Sequence, residues 1–141
     1  MIPAVFLVAE KRLQLSEDIM IQAMFITAGI GAVIAENASV AGASGGCQAE
    51  IGSASAMAAA GLAYLQGGNA RQIADAAAFA LKNMLGLACD PVGGLVEVPC
   101  IKRNVAGAVN ALTSAQLAMA CLLYTSPSPR DLSTSRMPSS A

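Results

Sequence analysis

The chain has 141 residues, enough for one domain, and is 55% hydrophobic but only 4% aromatic, so any core it forms must rely on many close contacts between small side chains rather than a few large anchors. Charged residues make up 12% with a net charge of −1, which leaves no basic surface for nucleic acid and no acidic solvating tail. The absence of histidine excludes imidazole bases, histidine-dependent triads and histidine-ligated zinc or haem, and confines the chemistry to Cys, carboxylates, Lys and Arg.

The chain opens on the apolar run 2–9 directly after Met1, with no polar lead-in, as though it began inside a domain. No basic segment precedes that run, which argues against a signal peptide. Ser16 is placed as an N-cap, with Glu17 and Asp18 in the first turn of a helix over about 17–35. Ile19, Met20, Ala23, Met24, Thr27 and 30–33 surround that helix with apolar groups on nearly all sides, the pattern of a core helix. Its apolar stretch of 17 residues would span roughly 25 Å, against about 30 Å of hydrocarbon. It carries Gln22 and Thr27 and has no flanking aromatic belt. Despite a mean hydropathy of +0.59, buried helices without a membrane are therefore expected.

Residues 42–47 form a glycine-rich turn ending in Cys47, and an Ala/Ser-rich helix follows over about 48–65. Gly67 and Gly68 break it, and Asn69 caps a helix over about 70–85. Pro91, Gly93, Gly94 and Pro99 mark 87–103 as a structured loop holding Cys89 and Cys100, with a short extended piece at 95–98. A last helix is expected over 104–120. The predicted fold class is all-α, with two glycine-rich loops that carry the cysteines. Met20, Met24, Met57 and Met84 read as core filler.

From Cys121 the composition turns Ser/Pro-rich and loses helical period. Residues 121–131 (Cys-Leu-Leu-Tyr-Thr-Ser-Pro-Ser-Pro-Arg-Asp) resemble the translation of a transposase-based sequencing-library adapter. Residues 121–141 are accordingly expected to lie outside the domain 1–120, which on its own holds six Lys/Arg and eight Asp/Glu.

Setting Cys121 aside leaves Cys47, Cys89 and Cys100, separated by 42 positions and then by 11. Neither interval matches the short pairs of zinc ribbons or bacterial ferredoxins, so spacing alone leaves thiolate ligands and buried cysteines both open. Context favours ligands. Gly45, Gly46, Pro91 and Pro99 expose backbone beside the sulfurs, and a helix starting after Cys47 favours negative charge.

Residues 37–59 (Asn-Ala-Ser-Val-Ala-Gly-Ala-Ser-Gly-Gly-Cys-Gln-Ala-Glu-Ile-Gly-Ser-Ala-Ser-Ala-Met-Ala-Ala) resemble the first cluster motif of the iron–sulfur L-serine dehydratases. Residues 81–104 (Leu-Lys-Asn-Met-Leu-Gly-Leu-Ala-Cys-Asp-Pro-Val-Gly-Gly-Leu-Val-Glu-Val-Pro-Cys-Ile-Lys-Arg-Asn) resemble the second, with Gly93 where many relatives carry Ala. The likeness extends over about 2–120. It implies part of a helical catalytic domain in which Cys47, Cys89 and Cys100 bind three irons of a [4Fe–4S] cluster. The remaining iron acts on the hydroxyl of L-serine as a Lewis acid, giving pyruvate and ammonia without pyridoxal phosphate (PLP).

The resemblance further implies a cytoplasmic lyase of amino-acid catabolism and gluconeogenesis, homo-oligomeric in its intact form. An N-terminal or beta domain, or a separate beta chain, belongs to that intact form, and these residues alone are expected to be inactive. Cys121 does not stand in for the C-terminal cysteine that caps the fourth iron in some relatives. Asn37, Ser39, Lys102, Arg103 and Asn104 are candidate substrate groups; for Lys102 and Arg103 the competing role is an ion pair with Glu97 or a helix C-terminus. Glu50, one turn after Cys47, is either a buried carboxylate or a cap, and no catalytic base is named. A sibling activity on L-threonine or L-cysteine, a non-catalytic cluster scaffold and a membrane helical bundle are the alternatives.

Overall fold

The computed structural model describes residues 1–120; the expectation for 121–141 lies outside the described residues. Helix α1 spans Ile2–Leu13, α2 Glu17–Asn37, α3 Gly42–Cys47, α4 Ser53–Leu65, α5 Ala70–Asn83 and α6 Glu97–Met119. A π-helical turn, Gln48–Gly52, joins α3 to α4. Among the described residues the only β pairing is an isolated bridge between Val92 and Leu95, so the all-α expectation holds.

The central element is α4, against which α1, α2, α5 and α6 all pack. Nearly every residue of α4 is buried, and most are Ala, Ser or Gly. Small side chains allow this: with little beyond Cβ on any face, four helices approach one axis closely enough for dispersion contacts on all sides. Gly61 shows how tight the approach is. A Cβ there would stand 2.4 Å from the Phe6 ring of α1 and 2.5 Å from the Thr27 hydroxyl of α2.

A polar net, buried at Ser55 and reaching the surface at Asn83, ties three of these helices. Ser55 donates to the Gly107 carbonyl at 2.8 Å, and Asn110 donates to Ser55 at 2.9 Å and to the Ala80 carbonyl at 3.0 Å. Asn83 donates to the Asn110 carbonyl oxygen at 2.8 Å, so α4, α5 and α6 are locked in register where apolar contacts alone would let small residues slide. On another face, the Tyr64 hydroxyl reaches Gln22 of α2.

Several boundaries differ from expectation. The apolar start 2–13 is a helix, with Pro3 in its first turn and Gln14 closing it in the left-handed conformation. Ser16 does cap α2 by position, but without a side-chain hydrogen bond. Asn69 caps α5 with a full capping box to Gln72.

The glycine-rich segment 42–47 is helical rather than a turn, broken only at Gly46. Helix α6 begins seven residues before the predicted 104, at Glu97. Pro99 does not prevent this, because the amides of a first helical turn have no intrahelical acceptor to lose. The Cys100 amide makes an early bond of that helix, to the Val96 carbonyl at 3.0 Å.

The core helix is α4, not α2. Helix α2 buries Met20, Ala23 and Thr27 along one face and leaves Ile21, Met24, Phe25 and Val33 exposed, since among the described elements α4 covers it from one side. Met24 is therefore not core filler, whereas Met20 and Met84 are buried. By length and composition alone, α2 is also apolar enough to cross a membrane.

Three glycines test this packing. Gly61→Ala should lower stability by about 1–3 kcal/mol through overpacking, whereas Gly29→Ala, exposed on α2 with no atom within 4 Å of the new methyl, should raise it by about 0.5–1 kcal/mol. Urea-denaturation midpoints of the two variants should move in opposite directions. Gly46 adopts φ 69° and ψ −171°, a region open essentially to glycine, and a Cβ there would meet the Leu87 carbonyl oxygen at 2.8 Å. Gly46→Ala should cost about 1–3 kcal/mol and speed hydrogen exchange at the Gln48 amide well before that of α5.

Candidate functional site

The three cysteines come from three kinds of local structure. Cys47 follows the break at Gly46 and opens the π-helical turn that leads into α4. Cys89 sits in the connection between α5 and α6, and Cys100 in the first turn of α6. Cys47 is buried, Cys100 half-buried and Cys89 exposed; none is in a disulfide.

Two backbone bonds bring the first two segments together. The Gln48 amide donates to the Leu87 carbonyl at 3.0 Å, and the Gly86 amide donates to Gln48 Oε1 at 2.9 Å. Gly46 makes the contact possible, since the Leu87–Cys89 backbone passes where a side chain would be. Gly86, Gly93 and Gly94 all have positive φ, which lets the connection turn back on itself within a few residues.

Arg103 joins the third segment. From α6 its Nη1 donates to Cys47 Sγ at 2.8 Å and to the Ala88 carbonyl at 2.7 Å, and lies 2.6 Å from Asp90 Oδ1. The hydrogen bond to Cys47 raises the pKa of the guanidinium; desolvation opposes this, and the charges of Cys47 and Asp90 reinforce it. Cys47 lies near enough to Cys100 to act on its thiol. Partial burial pushes the Cys100 thiol up, and Cys47, Glu50 and Cys89 nearby push it the same way, because each disfavours another negative charge.

The cysteine neighbourhood is thus assembled around one cation. Among the described residues, however, no group of three or more Cys, Asp or Glu side chains stands as a preformed metal-ion site. The donor set itself, three thiols beside a guanidinium, is the soft, anion-tolerant chemistry that iron–sulfur clusters take.

The other candidate residues divide. Asn37 and Ser39 line a cleft of about 510 Å³ with Val33, Ile34, Gln48 and Ser53; Gly45 and Gln48 in its wall flank Cys47 in the chain. Asn37 donates to its own helix at the Val33 carbonyl, and Ser39 bonds the Ser44 hydroxyl and the Ala41 amide, so both shape the turn into α3. Lys102 is exposed and forms no ion pair among the described residues. Asn104 donates back to the Cys100 carbonyl at 2.9 Å. The cleft wall includes none of Lys102, Arg103 and Asn104.

Glu97 is not the partner of Arg103; Asp90 is. Glu50 is exposed, not buried, with its carboxylate directed at Gly42, where a Cβ would stand 2.7 Å from Oε2. Sequence reasoning passed over Gln48 and Asp90. Each directly follows a cysteine, and in a chain with so few charges Asp90 and Arg103 were the signal available.

A family profile described as "Serine dehydratase alpha chain" matches residues 1–129. The chain is 51% identical over 132 residues to a Latilactobacillus sakei protein named "Probable L-serine dehydratase, alpha chain", covering 94% of this chain and 63% of the relative. A protein of the same name from Bacillus subtilis (strain 168) is 51% identical over 119 residues, 84% of this chain and 40% of the relative. A Helicobacter pylori protein named "L-serine dehydratase" is 47% identical over 120 residues, 84% of this chain and 26% of the relative. The chain therefore spans less than two thirds of the length of these relatives, and both cysteine-bearing segments fall inside the matched region. The chain belongs to the serine dehydratase alpha chain family.

Proposed function

We propose that this chain is the cluster-bearing part of a lyase that deaminates L-serine to pyruvate and ammonia, with Cys47, Cys89 and Cys100 as ligands of a [4Fe–4S] cluster. The observation that carries the reading is the approach of the two cysteine segments. They are 42 residues apart in sequence, yet the backbone at Leu87–Cys89 packs on Gly46, and Arg103, three residues after Cys100, donates to Cys47 Sγ. Cysteines acting only as small hydrophobes need no such meeting, and an exposed Cys89 is not a hydrophobe in a core.

A bound cluster with one open iron supplies Lewis acidity toward the serine hydroxyl. The residues of the chain provide the rest. Arg103 places positive charge against the Cys47 sulfur, which offsets the cost of a buried thiolate. Gln48 ties the Gly86–Leu87 backbone to the start of the π-helical turn and so holds Cys89 near Cys47. The cleft beside them, apolar along Val33, Ile34 and Leu81 and polar at Asn37, Gln48 and Ser53, suits a small zwitterion whose polar groups need partners and whose reacting end must be shielded from water.

Family membership under the name alpha chain supports a beta chain or beta domain as the partner, and a cytoplasmic setting suits an oxidation-sensitive cluster.

Anaerobic loading of the full chain with iron and sulfide tests the reading. About four irons per chain and a broad visible absorption are expected, and Cys89→Ser should abolish both. A soluble, helical chain that takes up no iron would overturn the ligand assignment.

A further inference from the structure

We propose that Arg103 is a positioning residue for Cys47: it fastens the thiol of the first cysteine segment to the backbone of the second before any metal arrives, and stays on that sulfur as a hydrogen-bond donor once the sulfur is a ligand. The proposal rests on the cluster reading for its second half; its first half stands on the metal-free geometry.

The arrangement is specific. One nitrogen, Nη1, has three acceptors from two separate segments within 2.8 Å: Cys47 Sγ, the Ala88 carbonyl and Asp90 Oδ1. The guanidinium arrives from α6, three residues after Cys100, so one side chain links all three cysteine-bearing segments. It is largely enclosed, at 20% exposure, whereas Asp90 is 59% exposed. Asp90 and the exposed Ala88 carbonyl thus act from the solvent side, and the bond to the buried Cys47 points inward.

Charge and shape both require arginine here. A thiolate as enclosed as Cys47 is costly without a cation in contact, and of the cations nearby Lys102 is exposed and pairs with none of the described carboxylates. A planar guanidinium holds its donors at fixed angles and loses little freedom per bond. An ammonium is a mobile point charge and does not impose the spacing between Cys47 and Ala88. The role expected from sequence, holding a substrate carboxylate, does not fit Nη1, which is committed within the protein and away from the cleft wall.

The test compares the full chain with Arg103→Lys and Arg103→Met, using two readouts. In the reduced, metal-free proteins, amide hydrogen exchange is followed at Gln48, whose amide bonds Leu87, and along α5 as a reference. Arg103→Met should speed exchange at Gln48 roughly tenfold, the loss expected for one charge-assisted bond, with α5 unchanged and Arg103→Lys in between. After anaerobic loading with iron and sulfide, release of iron to a ferrous chelator should be roughly tenfold faster in Arg103→Met, with partial rescue by Lys.

Unchanged exchange at Gln48 in both variants overturns the proposal. Equal acceleration at Gln48 and along α5 also overturns it, because that is general destabilisation. Should Arg103→Met fail to fold, Arg103→Lys decides: it keeps the charge and loses the planar, fixed donor directions of Nη1, so wild-type exchange in that variant overturns the argument from shape. A wild-type chain that takes up no iron, with the exchange series as expected, sinks the cluster reading and leaves the positioning of Cys47 intact.

Discussion

The site depends on a backbone contact that only a missing side chain permits. At Gly46 the chain takes a conformation closed to other residues, and the Leu87–Cys89 backbone occupies the space a Cβ would fill. Everything near the cysteines follows from that approach. The Gln48 amide finds the Leu87 carbonyl, its side chain accepts from Gly86, and Ala88 and Asp90 come within reach of a side chain from α6. A larger residue at position 46 would hold the segments apart and leave Arg103 with one segment to bond instead of two.

The rest of the fold solves the same problem on a larger scale. Helix α4 is surrounded, and it has to be made of small residues because four neighbours share its surface. The drawback of such a core is ambiguity: alanine packs on alanine about equally well in several registers. The Ser55–Asn110–Asn83 net removes that freedom, since a shift of one residue in α6 would leave the buried Ser55 hydroxyl and the part-buried Asn110 amide without their partners. The start of α4 is therefore fixed relative to α6. That placement matters because Cys47 stands just before α4 and Cys100 in the first turn of α6.

How much of this was legible in the sequence depended on whether the signal was local. The all-α class, the extents of α2 and α5 and the Asn69 cap could be read because caps and apolar period act over a few residues. The start of α6 could not, because Pro99 reads as a breaker until it is known to lie in a first turn. Helix α2 was misjudged for the opposite reason. Apolar residues on all sides looked like burial on all sides, but burial depends on how many neighbours arrive, and the sequence of one helix does not count them. At the site, the cysteines stood out by residue type and by their motifs. Arg103 also stood out, but its role could not be read, because its partners are 13, 15 and 56 positions away and one of them is a backbone carbonyl.

The electrostatics explain why a cation and an anion are placed among three thiols. Arg103 and Asp90 cancel, so with the thiols protonated the cluster of side chains carries no excess charge from this pair, and the metal-free fold does not have to hold like charges together. The Cys100 thiol resists ionisation, first through partial burial and then because Cys47, Glu50 and Cys89 lie near enough to oppose a further negative charge. Making Cys100 a ligand means displacing that proton, which a multiply charged metal centre can do and a passing monovalent cation cannot. The same neighbours that hold the proton on Cys100 would then be co-ligands or their close surroundings, so groups that oppose a bare thiolate would favour one bound to metal. Arg103 already stands on Cys47 before any such exchange.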